Sequence, residues 1–316
     1  MKWSIGFCLL FLSHGMTHGQ HVVAFLNTLP EKVATESAYR FAKKQKAADI
    51  PFEIIRGMIV VQAQLDGQSG YFVVDTGAPL MVVNQTPNAE QSQQAKSFAR
   101  AVSYAPQIID HFEWAGLTTK KLDALALDIS HLEASTQRSL SGMVGYNALY
   151  NYEVLFDYSQ NRMTLYSPRR NELHRVATPL MEIPFELQGH LPVVVVQSGT
   201  QKFNLGIDTG ASVNLFDRRW LSDLPQEVLI HLVQEEVRGF DQVLNPVPAA
   251  LVSGMRLQGM ALNEQMSYLF TDLQHLQVDT NLKIDGLLGF PFLKNLVFSI
   301  NYAKRKLYIW QINEVR

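Results

Sequence analysis

The feature that most constrains this chain is a seven-residue stretch that occurs twice. Phe72-Val73-Val74-Asp75-Thr76-Gly77-Ala78 is answered by Leu205-Gly206-Ile207-Asp208-Thr209-Gly210-Ala211. Each copy is an apolar run rich in β-formers that stops at an aspartate, a hydroxyl residue and a glycine. Such a run reads as a buried strand ending in a tight turn, with Gly77 and Gly210 permitting the turn. A carboxylate held at the mouth of such a turn by backbone N–H groups sits on a rigid element, as catalysis requires.

The repeat is wider than the motif. Ile50-Pro51-Phe52-Glu53 recurs as Ile183-Pro184-Phe185-Glu186 at the same displacement of 133 residues that separates the two aspartates. The stretch from Ile50 to Ala78 therefore aligns without a gap. In each copy two strand-like segments precede the aspartate, around turns at Asp66-Gly67 and Ser198-Gly199. A second block follows at a displacement of 144, where Gly142-Met143-Val144-Gly145-Tyr146 matches Gly286-Leu287-Leu288-Gly289-Phe290 and the match runs to Tyr166 and Trp310. Asn151 falls on Asn295, Tyr158 on Tyr302, and Asp157 on Asn301, a pair expected to be structural. The second copy has gained residues between its blocks. Trp220, Leu221, Leu224, Val228, Leu229 and Leu232 predict a helix within Asp217–Val237. Leu80–Val83 reads as a strand, the Gln- and Ser-rich residues 85–100 as a surface loop, and 101–129 as hairpins.

The resulting division is a leader over 1–19, an N-terminal helical segment over 20–49, a first half over 50–168, a linker over 169–179 and a second half over 180–316. The start, Met1-Lys2-Trp3 followed by apolar Ile5–Leu12 and small Gly15, Thr17 and Gly19, has the layout of a secretory signal peptide cut after Gly19. A buried N-terminal strand is the other reading. The apolar run is too short for a membrane anchor. Cys8, the only cysteine, would leave with the leader, so the mature chain would hold no disulfide, as suits a bacterial exported protein. Thr28–Ala48 predicts an amphipathic helix carrying Lys32, Arg40, Lys43, Lys44 and Lys46. It is either an inhibitory prosegment for an acidic cleft or a solvated helix packed outside the first half. At 47% apolar and 18% charged residues the chain is globular, and a net charge of −2 gives no electrostatic ground for nucleic acid as a partner.

Two Asp-Thr-Gly-Ala turns, each followed later by an apolar pair and a glycine, resemble the pepsin and retropepsin clan of aspartic proteases. The resemblance is greatest to exported bacterial aspartyl proteases with two retropepsin-like halves, and covers nearly all of Ile50–Trp310. It implies an all-β, bilobal fold, with two β-barrel lobes related by a pseudo-two-fold axis and a few short helices. It also implies an endopeptidase with catalytic Asp75 and Asp208, supported by Thr76, Gly77, Ala78, Thr209, Gly210 and Ala211. Met143-Val144-Gly145 and Leu287-Leu288-Gly289 would fix the aspartate loops, and the two threonines would brace the turns across the axis. The expected partner is a peptide or protein substrate, with no cofactor, no metal and no stable membrane anchor once the leader is removed. One chain supplies both aspartates, so a monomer suffices. Ala78 and Ala211 stand where the pepsin branch tends to carry a hydroxyl that favours the ionised carboxylate, which implies a weakly acidic to neutral optimum. Tyr104, ahead of the turn-prone Ala105-Pro106, is the candidate for a flap over the cleft, with Arg238-Gly239-Phe240 its equivalent in the second half. An ordinary hairpin tyrosine has the same signature as Tyr104. An inactive peptide-binding protein and a structural, envelope-assembly protein are the competing readings.

Other chemistries lack their signatures. The chain has no Gly-x-Ser-x-Gly elbow, no His-Glu-x-x-His pair and no phosphate-cradling glycine loop. Its nine histidines are scattered, with His111 and His131 expected to be solvated or core residues.

Overall fold

Strand Ala47–Ile55 sets the pattern for the rest: Ala48, Ile50 and Phe52 are buried while Asp49, Pro51 and Glu53 face solvent. That period of two is what a half-buried strand demands. In the computed structural model, described over residues 11–13, 47–88, 90, 92–96, 101–168, 171–225, 227–238, 244–262, 265–276 and 282–312, strands predominate and helices are short. The protein is all-β, with a 13-stranded and an 11-stranded sheet among the described residues.

The first hairpin, Met58–Leu65 with Gln68–Val74, turns at Asp66-Gly67, both in the left-handed region. Its repeat, Leu191–Ser198 with Gln201–Ile207, turns at Ser198–Gln201 with Gly199 at φ +58°. Both second strands run into an aspartate. Each then pairs in parallel with the short strand of the apolar-Gly element, Phe72–Val74 on Gly142–Val144 and Leu205–Ile207 on Gly286–Leu288.

The two halves share one sheet. Strands Met181–Pro184, Lys306–Ile312 and Leu296–Asn301 of the second half continue into Glu153–Asp157, Arg162–Tyr166 and Ala47–Ile55 of the first. At the junction Leu155 lies opposite Ser299, its own counterpart at the 144-residue displacement. An antiparallel pair of repeat equivalents places a local two-fold axis between them. One apolar core runs under both halves, from Phe52, Phe72 and Phe156 to Phe203, Ile207 and Phe298. Each half adds a satellite cluster behind its aspartate turn, around Ala78 and Leu80 in one and Ala211 and Val213 in the other.

Several expectations are corrected. Among the described residues of 217–237 only Trp220–Asp223 is helical; Leu229–Arg238 is a strand paired with Leu244–Ser253. Pro225 ends the helix, and β-branched Ile230, Val233 and Val237 suit the strand. The loop at 85–100 contains the strand Gln93–Lys96, paired with Ala101–Tyr104. Ala105-Pro106 is no turn, because both lie within the 14-residue strand Ala101–Trp114. The N-terminal helix does not reach Ala48, since Ala47 and Ala48 already pair with Tyr166 and Leu165; residues 20–46 lie outside the described residues. Phe11–Ser13, in the stretch expected to be a leader, forms a strand on Glu236–Arg238. The linker carries a four-residue helix, Leu173–Val176. No helix among the described residues is long and apolar enough to cross a membrane.

Candidate active site

Asp75 and Asp208 end their strands at equivalent points. The amide of Asp75 donates to Val144 O and that of Asp208 to Leu288 O, each at 3.0 Å, so the apolar-Gly elements fix the first residue of each turn. The following amides close the arrangement, Tyr146 N donating to Ala78 O at 2.7 Å and Phe290 N to Ala211 O at 2.8 Å. Gly145 and Gly289 are glycines for lack of room. A Cβ on Gly145 would stand 2.2 Å from Leu80 O, and one on Gly289 2.4 Å from Ala211 O.

The turns are tied across the halves by their threonines. Thr76 N donates to Thr209 Oγ1 at 3.1 Å and Thr209 N to Thr76 Oγ1 at 3.0 Å. Each hydroxyl then donates to the strand opposite, Thr76 Oγ1 to Ile207 O at 3.3 Å and Thr209 Oγ1 to Val74 O at 3.0 Å. The bracing that the resemblance implied is thus present in the structure, and it is reciprocal.

The carboxyl groups face each other through the glycines. Gly77 N and Ala78 N donate to Asp75 Oδ1 at 2.8 and 3.1 Å, and Gly210 N donates to Asp208 Oδ1 at 2.8 Å. A Cβ on Gly77 would lie 2.6 Å from Asp208 Oδ2, and a Cβ on Gly210 2.3 Å from the Asp75 carboxyl carbon. Neither glycine is in the left-handed region. Both lie in the expected turns, and they also leave space for the carboxyl group of the other half.

Both aspartates are fully buried, and their Oδ2 atoms find no hydrogen-bond donor among the described residues. Burial raises the pKa of both above the ordinary carboxylate value, and the Asp208 charge raises Asp75 further. The backbone amides act in the opposite direction without cancelling this. Two buried carboxyl groups in contact favour holding a proton between them.

Two tyrosines and their ring partners form the surroundings. Tyr158, whose ring lies 5.9 Å from Phe290 of the other half, and its counterpart Tyr302, 5.1 Å from Tyr146, exchange contacts across the axis. Both are buried, and burial raises their hydroxyls above the usual tyrosine range, helped at Tyr158 by Asp208 and at Tyr302 by Tyr146, Asp208 and Asp75.

Tyr104 is placed in the core. It is 4% exposed, its hydroxyl donates to Gln93 Oε1 at 2.7 Å, and it packs in the cluster that holds Ala78 and Leu80. It belongs to the hairpin between the two motifs but supports the first turn from behind. In the second half Gly239 and Phe240 lie outside the described residues. His131 is a core residue, its pKa pulled down to about 3 by burial. Asp157 holds the turn at Ser159 and Gln160. No cluster of metal-ligating side chains occurs among the described residues. A cavity of about 550 Å³ lies away from the dyad, against Gln62, Tyr71, Glu113 and Ser141.

One residue at the site carries no motif in the sequence: His190. Its Nε2 lies 2.6 Å from Gly77 O, inside the first aspartate turn, and its ring is 4% exposed. The 133-residue displacement sets His190 on Gly57, but this is one of many unequal pairs in the block, so nothing in the repeat singles it out. A scan against protein-family models and a search of curated proteins both return no match for this chain.

Proposed function

We propose that the chain is an aspartic-type endopeptidase of the pepsin and retropepsin kind, with two lobes related by a pseudo-two-fold axis and Asp75 and Asp208 as its catalytic pair. The observation that carries the reading is the interlocked packing of the two turns, each glycine pressed on the other half's carboxyl group. The reciprocal threonine bonds and the Leu155–Ser299 pairing support the same axis.

The chemistry follows from one proton shared by two carboxyls. The ionised carboxylate takes a proton from a water, whose oxygen attacks the scissile carbonyl carbon. The protonated carboxyl donates to the carbonyl oxygen, giving a tetrahedral gem-diol. On collapse the protonated carboxyl gives its proton to the amide nitrogen as the C–N bond breaks, while a gem-diol hydroxyl gives its proton to the other carboxylate, so the pair ends singly protonated. The two groups titrate as a pair, so the roles belong to the pair. With both carboxyls fully buried, a substrate reaches them only after the surrounding chain opens. Raised carboxyl pKa values, together with alanine at 78 and 211, favour a weakly acidic to neutral optimum over a strongly acidic one. The leader-like start supports export from a bacterial cell, and one chain forms the complete pair as a monomer.

The test is cleavage of a mixed peptide library by the mature protein, with and without a pepstatin-like transition-state mimic. Cutting that the mimic blocks, and that Asp75→Asn and Asp208→Asn each abolish, is the expected result. A protein that binds peptides without cutting them would instead be the inactive relative of this fold. Cutting that survives either substitution would reject the shared-proton pair.

A further inference from the structure

The two turns share their threonine bonds and their glycine packing, but among the described residues a histidine reaches only one of them. His190, in the second half, reaches across to the first turn, where its Nε2 meets Gly77 O at 2.6 Å. A carbonyl oxygen only accepts, so Nε2 carries the hydrogen. Its repeat counterpart is Gly57, which has no side chain and where one would be strained: φ is +81°, and a Cβ would meet Phe290 and Ser212 at 3.1 Å. The duplicated frame therefore holds a histidine on one side only.

The accepting carbonyl is not an arbitrary one. Gly77 O and Ala78 N belong to the same peptide unit, and Ala78 N donates to Asp75 Oδ1 at 3.1 Å. A hydrogen bond to the carbonyl end of an amide polarises it and strengthens the donor at the other end. The preceding amide, Gly77 N, donates to the same oxygen at 2.8 Å, and the Gly77 Cα borders the Asp208 carboxyl. His190 thus anchors a residue that touches both acids, as Gly210 does from the other turn, where among the described residues no histidine stands behind it. The ring is held in place by its burial and by Tyr146, whose ring centre lies 6.0 Å away. Burial pulls its pKa down to about 4, so the imidazole stays neutral and keeps a single N–H to give.

We infer that His190 is a positioning residue for the peptidase reaction, acting through the Gly77–Ala78 peptide to set Asp75 apart from Asp208. This rests on the endopeptidase reading above. It makes the pair asymmetric from the side of the second half, with the carboxylate of Asp75 better solvated by its amides than it would be on a bare turn.

The test compares His190→Leu, which fills the volume without a donor, with His190→Gln, whose side-chain amide extends about as far as Nε2. In the peptide assay His190→Leu is expected to lower kcat on the order of tenfold to a hundredfold, the scale of a slightly misplaced catalytic group, with KM within about twofold. His190→Gln should recover most of the loss. If His190→Leu does not fold, His190→Asn, whose shorter amide stops short of Gly77, takes its place with the same expectation. An unchanged kcat, or a glutamine variant as impaired as the donorless one, overturns the assignment. A second readout needs no turnover: carbon NMR of carboxyl-labelled aspartate, with the Asp75 signal identified by Asp75→Asn. Loss of the donor should move the Asp75 titration to higher pH and glutamine should restore it. An Asp75 titration that is the same in all variants overturns the inference even if the protein proves to cut peptides. A shift in a protein that cuts nothing would uphold the contact while the peptidase reading fails.

Discussion

Thr76 and Thr209 each hold the other's backbone amide, at 3.1 and 3.0 Å, although 133 residues separate them. Both residues are fully buried, so an alanine at either position strands an amide and removes a hydroxyl that donates onward. Thr76→Ala and Thr209→Ala should each cost about 1–3 kcal/mol in urea unfolding, the scale of an unsatisfied buried group. Because the four bonds form one unit, the double variant should lose clearly less than the two single losses combined. Strictly additive losses would mean that the two turns are independent.

Gly77 and Gly210 are small for the sake of the opposite acid. Alanine at 77 would put its Cβ 2.6 Å from Asp208 Oδ2, a distance that no side-chain adjustment of a locked carboxyl can absorb. Gly77→Ala and Gly210→Ala should reduce kcat by roughly a hundredfold or more through displacement of the pair, and lower stability by about 1–3 kcal/mol. Gly67 supplies the control. It has φ +82° and open space around its Cα, so Gly67→Ala should cost about 1–2 kcal/mol in backbone strain and leave kcat unchanged. Equal effects on kcat at positions 67 and 77 would sink the argument from space.

The pair also fixes how stability responds to pH. Burial raises both carboxyl pKa values above the 3.8 of an ordinary aspartate, so the folded protein holds a proton that the unfolded chain releases. The favourable contribution is fully present below the unfolded value near pH 4 and is lost as pH rises through the raised values. Replacing one acid with a neutral isostere removes this loss. Asp75→Asn or Asp208→Asn should stabilise the protein at pH 7 by on the order of 1–3 kcal/mol, since each tenfold change in proton affinity is worth about 1.4 kcal/mol. The gain should shrink towards zero near pH 4. The same variants should lose activity on the order of 10⁴-fold. Thermal unfolding across pH 4–7 measures the first effect, and a gain that grows on acidification would reverse the sign argued here.

The site was largely legible because it was written twice. Asp75, Thr76 and the Met143-Val144-Gly145 element each have a counterpart at a fixed displacement, and turns that recur at the ends of apolar runs restrict the chain to few arrangements. What was illegible lay where the copies diverge. Leu224, Val228, Leu229 and Leu232 carry a helical spacing that cannot be told from a strand with a shifted register, and such a shift occurs between Ile230 and Val233. Tyr104 has the sequence position of a flap residue, but direction decides its role, and its side chain points into the core behind Ala78. His190 is invisible to motif reading because its contact is with a backbone carbonyl 113 residues away.

Glu153 provides the last prediction, because it is a fully buried carboxylate at the seam between the halves. It pairs in register with Asn301, accepts from Asn301 Nδ2 at 2.8 Å and from Ser299 Oγ at 2.7 Å, and meets His174 Nε2 at 2.8 Å. Ser299 also accepts from Trp310 Nε1 at 2.9 Å, while the His174 ring stands edge-on to Tyr308 and Trp310. His174 lies on the short linker helix, so this one carboxylate joins the first half, the second half and the segment between them. Glu153→Ala leaves three polar partners without their acceptor, of which Ser299 and Asn301 are fully buried, and should cost about 3–5 kcal/mol at about 1–3 kcal/mol for each buried group stranded. Glu153→Gln keeps the shape and one acceptor and should cost less. His174→Ala removes a partner that is itself 21% exposed and leaves Ser299 and Asn301 on the acid, so its loss should be the smallest of the three. Urea unfolding of the three variants gives that order directly, and a histidine variant as damaged as Glu153→Ala would shift the seam's main support from the sheet to the linker.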